Sequence, residues 1–166
     1  MRLFIAIPMS SSLKETLLSA MERLKKQGVR GRYAPLQNLH LTLAFIGEVP
    51  DAAPIIAALR KVRFRPFRLT LSGTVTFGDI LCAGIARSAA LLSLAEEIRR
   101  QLDAAGISYD RKQFKPHITL IRNMAGFRGV TMPGGSMMVK GFSLMQSEVV
   151  DGRRVYTELW TGKDHV

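Results

Sequence analysis

Apolar residues along this chain recur with two periods, about 3.6 in some segments and about 2 in others, which marks a mixture of amphipathic helices and half-buried strands. Residues 2–7 form a largely apolar run closed by Pro8 and read as a strand. Ser12 and Glu15 then make a capping box for a helix whose apolar stripe, Leu13, Leu17, Met21 and Leu24, ends near Gly28. After a basic, proline-containing link, residues 39–46 read as a strand and residues 51–62 as a helix with Pro54 in its first turn.

Residues 67–77 and 80–86 follow as two strands joined at Gly78-Asp79. Ser88 caps a helix running to Ala105, with its stripe at Leu91, Leu94, Ile98 and Leu102 and Gly106 as terminator. Residues 114–122 read as a strand and residues 126–135 as a glycine-containing loop. Residues 137–149 and 153–160 then read as a closing hairpin through Asp151-Gly152.

One pattern occurs twice. A helix is followed by a strand of the form apolar-His-apolar-Thr-apolar, first as Leu39-His40-Leu41-Thr42-Leu43 and then as Pro116-His117-Ile118-Thr119-Leu120. The two histidines are 117 − 40 = 77 residues apart, close to half of the 166-residue chain. With no low-complexity segment or composition break to divide it, the chain reads as one α+β domain over residues 1–166. Its two similar lobes, related by a pseudo-twofold, present antiparallel sheets to a central cleft with helices packed outside.

Composition adds a partner class. Lys and Arg number 24 against 13 Asp and Glu, a formal charge of +11, so the surface favours an anionic partner, and nucleic acid is the commonest. A 47% hydrophobic content excludes disorder as the main description. No apolar run approaches the ~20 residues of a membrane span, and no signal-peptide core is present, so a cytoplasmic protein without membrane attachment is expected. Cys82 is the sole cysteine and lies in an apolar run, where a thiol behaves as a small buried hydrophobe.

The chemistry lies in the repeated motif. Residues two apart on a strand share a face, so His40 lies beside Thr42 and His117 beside Thr119, while the intervening aliphatics face the core. If the two strands converge, one imidazole is able to accept a proton while the other donates one, and the hydroxyls are able to hold the non-bridging oxygens of a phosphate. A zinc site wants three or four ligands, and neither motif supplies a neighbouring one, since the third histidine, His165, lies next to the C-terminus. No metal and no cofactor is therefore expected. A single His-x-Thr strand is ordinarily a half-buried sheet residue. Two matched copies holding both histidines outside the tail point to catalysis.

These residues resemble the two-histidine (2H) phosphoesterases, in particular the RNA 2',3'-cyclic phosphodiesterases also called 2'-5' RNA ligases. The likeness runs from Arg2-Leu3-Phe4-Ile5-Ala6-Ile7 through residues 38–49 and 114–122 to Gln146-Ser147-Glu148 and Arg154-Val155-Tyr156-Thr157. It implies a bilobal α+β fold and metal-free hydrolysis of a terminal 2',3'-cyclic phosphate of RNA to a 2'-phosphate, with reversible 2'-5' RNA ligation as an accompanying activity. It also implies His40 as proton donor and His117 as proton acceptor. The sequence symmetry of the motifs leaves that order open.

Arg122 matches a family arginine five places after the second histidine. Strict alternation puts it on the face opposite His117, so it reaches the phosphate only if the strand bends or ends there. Ala44 stands where some relatives carry an arginine, so no second guanidinium is expected from the first motif. Phe45, Phe114 and Tyr33 are candidates for stacking on a base, and Lys115, with Arg30, Arg32 and Lys112, for holding the RNA backbone. A monomer is the expected state. The rival readings are a 2H enzyme acting on another cyclic phosphate or a 2'-5' linked nucleotide, and a non-catalytic module that grips RNA ends.

Overall fold

The computed structural model describes residues 1–163, so His165 lies outside the described residues. Strand β1 (Arg2–Pro8) leads into helix α1 (Ser11–Lys26), and β2 (Arg30–Tyr33) precedes a 3-10 turn, Leu36–Asn38, and strand β3 (His40–Glu48). Helix α2 (Ala53–Leu59), strands β4 (Phe67–Phe77) and β5 (Ile80–Ile85), helix α3 (Ala89–Ala104) and strand β6 (His117–Ala125) follow. The chain closes with β7 (Ser136–Val139), β8 (Gly141–Val150) and β9 (Arg153–Lys163).

The fold is α+β, built on two antiparallel sheets. One has strand order β3-β1-β8-β9 and the other β2-β6-β5-β4-β7. Each histidine strand pairs with a largely apolar strand, β3 with β1 and β6 with β5, and each apolar strand is followed by a serine-capped helix. Helix α3 packs against α2, β3 and β4, and α1 against β7, and together they bury the apolar stripes read from the sequence. Among the described residues no helix is long and apolar enough to cross a membrane.

Four sequence expectations need correction. Helix α1 is capped by Ser10, whose Oγ accepts from the Leu13 amide at 3.2 Å, and Ser12 lies inside the first turn. The basic link contains a strand, β2, which its arginines and Gly31 conceal because it is an exposed edge with one side chain missing. Helix α2 is seven residues long, about half the expected length. The first arm of the expected final hairpin is two strands, since β7 pairs with β4 in one sheet while β8 pairs with β1 and β9 in the other.

The four-stranded sheet curls strongly. Its edge strands β3 and β9 approach at one end, where the Asn38 side-chain amide donates to the Arg154 carbonyl at 3.1 Å across 116 residues of sequence. Side chains distant in the ladder are thereby brought together on the concave face.

Candidate active site

Both motif strands carry an extra residue directly after the threonine. In β3, Thr42 faces Ala6 and Ala44 faces Ile5, so Leu43 has no partner on β1. In β6, Thr119 faces Cys82 and Ile121 faces Leu81, leaving Leu120 without a partner on β5. Each bulge turns two successive side chains inward: Leu43 and Ala44 are both buried, as are Leu120 and Ile121. The residue that follows returns to the histidine's face. Arg122 therefore shares the face of His117 and Thr119, where unbroken alternation would have put it opposite, and Phe45 shares the face of His40 and Thr42.

His40 is half-buried and held on several sides. Its Nδ1 lies 2.7 Å from the Asn38 carbonyl, which only accepts, so Nδ1 carries a hydrogen and Nε2 is the titrating atom. Nε2 meets the Thr42 hydroxyl at 3.0 Å. The rings of Phe4 and Tyr156 lie 4.9 and 5.2 Å from the imidazole centroid and wall it in. Burial pushes the His40 pKa below the ordinary imidazole value; the Asn38 carbonyl opposes this, and the charges of Arg122 and His117 lower it further. Those two charges act on His40 from the other sheet, so the lobes converge on one site.

His117 repeats the arrangement. Its Nδ1 donates to the Lys115 carbonyl at 2.6 Å, which leaves Nε2 free for chemistry, and Phe77 lies beside the ring at 4.8 Å between centroids. The Thr119 hydroxyl is 3.9 Å from the sulfur of Cys82, a buried thiol whose pKa burial raises. Gly84 faces His117 across the ladder, and a Cβ there would come within 2.3 Å of the Ser72 carbonyl, so only glycine lets β4 and β5 close behind the histidine.

The remaining sequence candidates are distributed unequally. Phe45 lies on the site face of β3 with the Arg2 guanidinium 4.9 Å over its ring. Ala44 faces the core, and a guanidinium nevertheless reaches the first lobe from Arg2 on β1. Lys115 contributes its carbonyl to His117 while its side chain is exposed. Phe114 packs, half-buried, against the hydrophobic core.

Tyr33 is a correction. It pairs with Ile121, which is buried on the core side of β6, its hydroxyl donates to the Val29 carbonyl at 2.7 Å, and Lys25 of α1 covers its ring at 4.7 Å. The edge strand hidden in the basic link sets this direction, so Tyr33 offers no stacking surface to the site, whereas Arg32, opposite Arg122, does face it.

Sequence reasoning missed Phe4, Phe77 and Tyr156 as neighbours of the two imidazoles. An aromatic within an apolar strand looks like core; strand pairing places Phe4 and Phe77 near the imidazoles, and the curl of the four-stranded sheet brings Tyr156 from β9 to His40 on β3. Among the described residues no group of three or more His, Cys, Asp or Glu side chains is placed to hold a metal ion.

Known proteins share this fold. The profile of the family described as "LigT like Phosphoesterase" matches residues 7–86. An RNA 2',3'-cyclic phosphodiesterase of Escherichia coli is 32% identical over 165 residues, covering 95% of this chain and 93% of the relative. One from Geobacillus stearothermophilus is 33% identical over 132 residues, 74% of this chain, and there the match spans only 42% of the relative's length. The crystal structure of E. coli LigT complexed with 3'-AMP superposes with a TM-score of 0.85 at 30% identity, over 98% of this chain and 96% of that one. With its two His-x-Thr strands converging, the chain belongs to the LigT-like family of two-histidine phosphoesterases, hydrolases of phosphate esters.

Proposed function

We propose that the protein is an RNA 2',3'-cyclic phosphodiesterase that opens a terminal cyclic phosphate to a 2'-phosphate without a metal, His40 acting as proton donor and His117 as proton acceptor. The observation that carries this reading is the matched tautomer lock: each Nδ1 is tied to the carbonyl two residues before it, at 2.7 and 2.6 Å, so Nε2 is the proton-exchanging atom of both rings. Relatives named for this reaction match most of the chain.

The site residues supply each requirement of the step. A water bound near His117 gives its proton to Nε2 as its oxygen attacks phosphorus. The bond from phosphorus to O3' breaks on the opposite side, and His40 Nε2–H protonates the departing oxygen, leaving the phosphate on O2'. Thr42, Thr119 and Arg122 face the non-bridging oxygens, where charge grows in the transition state. Burial disfavours the protonated form of His40 in the free site. The anionic phosphate raises its pKa on binding, so His40 takes up from solvent, as the substrate binds, the proton that the leaving group needs. If an RNA 5'-hydroxyl takes the place of water as the nucleophile, His117 accepts its proton, O3' again departs with a proton from His40, and the product is a 2'-5' bond.

Incubating the protein with a short RNA ending in a 2',3'-cyclic phosphate, and locating the product phosphate by mass spectrometry and periodate sensitivity, tests this. A 2'-phosphate is expected. A 3'-phosphate would reverse the leaving group, and no turnover of any RNA end would leave another cyclic phosphate or a 2'-5' linkage as the substrate.

A further inference from the structure

The in-line geometry proposed above assigns sides to the cleft. Attacking and leaving oxygens lie opposite each other across phosphorus, and the leaving O3' belongs to the terminal ribose. The nucleoside therefore rests on the His40 side, over the concave face of the curled sheet. Tyr156 is the aromatic wall there, 5.2 Å from the His40 ring and 4.9 Å from Phe4.

Two residues earlier on β9, on the same face, stands Arg154, about 7 Å along the strand. Its tie to the catalytic motif distinguishes it from the other surface cations, and three features bear on what it can bind. Its Nη1 donates to the Ser147 hydroxyl at 3.1 Å, which aims the guanidinium along the face where Ser147 pairs with Tyr156. Its carbonyl accepts from Asn38, the residue whose own carbonyl fixes the His40 tautomer, so β9 is pinned directly to the catalytic motif. Finally, among the described residues no carboxylate pairs with this guanidinium, which leaves its remaining N–H groups for an anion.

We propose that Arg154, aimed by Ser147, binds the phosphodiester on the 5' side of the terminal ribonucleotide, with the terminal nucleoside against Tyr156, so that the site prefers an RNA end to a free cyclic mononucleotide. This rests on His40 being the proton donor. The ligand group is a phosphodiester monoanion, which suits a planar guanidinium able to present two parallel N–H donors.

The test compares adenosine 2',3'-cyclic phosphate with the dinucleotide ApA ending in a 2',3'-cyclic phosphate. Wild type is expected to show the higher kcat/KM on the dinucleotide. Arg154→Gln should cut that preference by about 10-fold or more, the scale of a charged hydrogen bond, mainly through KM. The slope of log(kcat/KM) against log[salt] for the dinucleotide should shrink by about 0.7, one phosphate contact on a single strand. Arg154→Lys should keep the salt slope and lose part of the preference. Ser147→Ala, which leaves the guanidinium in place but unaimed, should also weaken the preference and serves if Arg154→Gln fails to fold. A wild-type enzyme indifferent to the added nucleotide, or an undiminished preference in folded Arg154→Gln or Ser147→Ala, overturns the proposal while leaving the cyclic phosphodiesterase reading intact. Turnover of neither substrate would instead remove the reading on which it rests.

Discussion

Phe45 and Arg122 occupy the same position in the two lobes, five residues after His40 and His117, and a one-residue bulge turns each onto the face of its histidine. The two halves of the site thus share a backbone device and differ in what it presents, an aromatic ring on one side and a guanidinium on the other. Of these two positions, only the one on β6 offers positive charge to a phosphate between the histidines. Arg122→Gln should lower turnover of a cyclic phosphate by about 10²–10³-fold, the range for losing one donor to a developing oxyanion. Steady-state kinetics on an RNA cyclic phosphate measure this, and a loss under threefold would place Arg122 outside the chemistry.

His40→Ala and His117→Ala should each cost about 10²–10⁴-fold in turnover, with the double variant little worse than either single one, because a concerted acid and base act as a unit. Their effects on stability should differ. His40 packs against two aromatic rings and is more enclosed, so its removal should also cost about 1–2 kcal/mol, while His117→Ala should melt close to wild type. Kinetics paired with thermal melts separate the two. Either folded variant retaining wild-type turnover would end the two-histidine mechanism.

Most of this site was legible because its signals are local. The His-x-Thr pairs, the faces they share and the helices preceding them follow from side-chain periodicity, and the repeat itself announces two lobes. The bulges were not legible. Leu43-Ala44 and Leu120-Ile121 are ordinary apolar pairs, and only strand pairing shows that one residue of each is extra, which changes the side on which Arg122 emerges. Edge strand β2 was hidden by its arginines and by Gly31, and with it the direction of Tyr33. Phe4 and Phe77 became neighbours of the imidazoles through strand pairing, and Tyr156 through the curl of the four-stranded sheet, properties of whole sheets that no short window of sequence carries.

Gly84 provides a test of how the second motif is seated. A methyl group there would meet the Ser72 carbonyl at 2.3 Å, and backbone has little room to yield. Gly84→Ala should force β4 away from β5, cost about 1–3 kcal/mol in stability and displace His117, the cross-strand partner of Gly84. Chemical denaturation and turnover should both fall. Unchanged stability would mean that the ladder relaxes at the irregularity between Leu71 and Thr74.

Activity should survive dialysis against EDTA. Two imidazoles supply acid and base, and two hydroxyls with one guanidinium supply charge stabilisation, so the proposed step calls on no further group. Activity that vanished with chelator and returned with one divalent ion would point to a metallohydrolase.

The acid–base order of the histidines is decided by pH. Burial, aided by the charges of Arg122 and His117, holds the His40 pKa below the ordinary imidazole value, so folded His40 binds fewer protons than it does in the unfolded chain. Its contribution to stability is then fully present above about pH 6.5 and is lost as pH falls through the folded value. His40→Gln should flatten that acid-side decline in melts recorded between pH 7 and 5. For catalysis, a proton donor with a lowered pKa places the alkaline limb of kcat/KM lower than an unperturbed imidazole would, since that profile reports the free enzyme. Arg122→Gln removes one of the lowering charges, so the His40 pKa should rise, as followed by NMR of the ring Cε1–H, and the alkaline limb should move to higher pH with it. If the acid limb moves instead while the alkaline limb stays, His40 is the base. The roles of the two histidines are then exchanged, the nucleoside lies on the His117 side of the cleft, and Phe77 takes the place proposed for Tyr156.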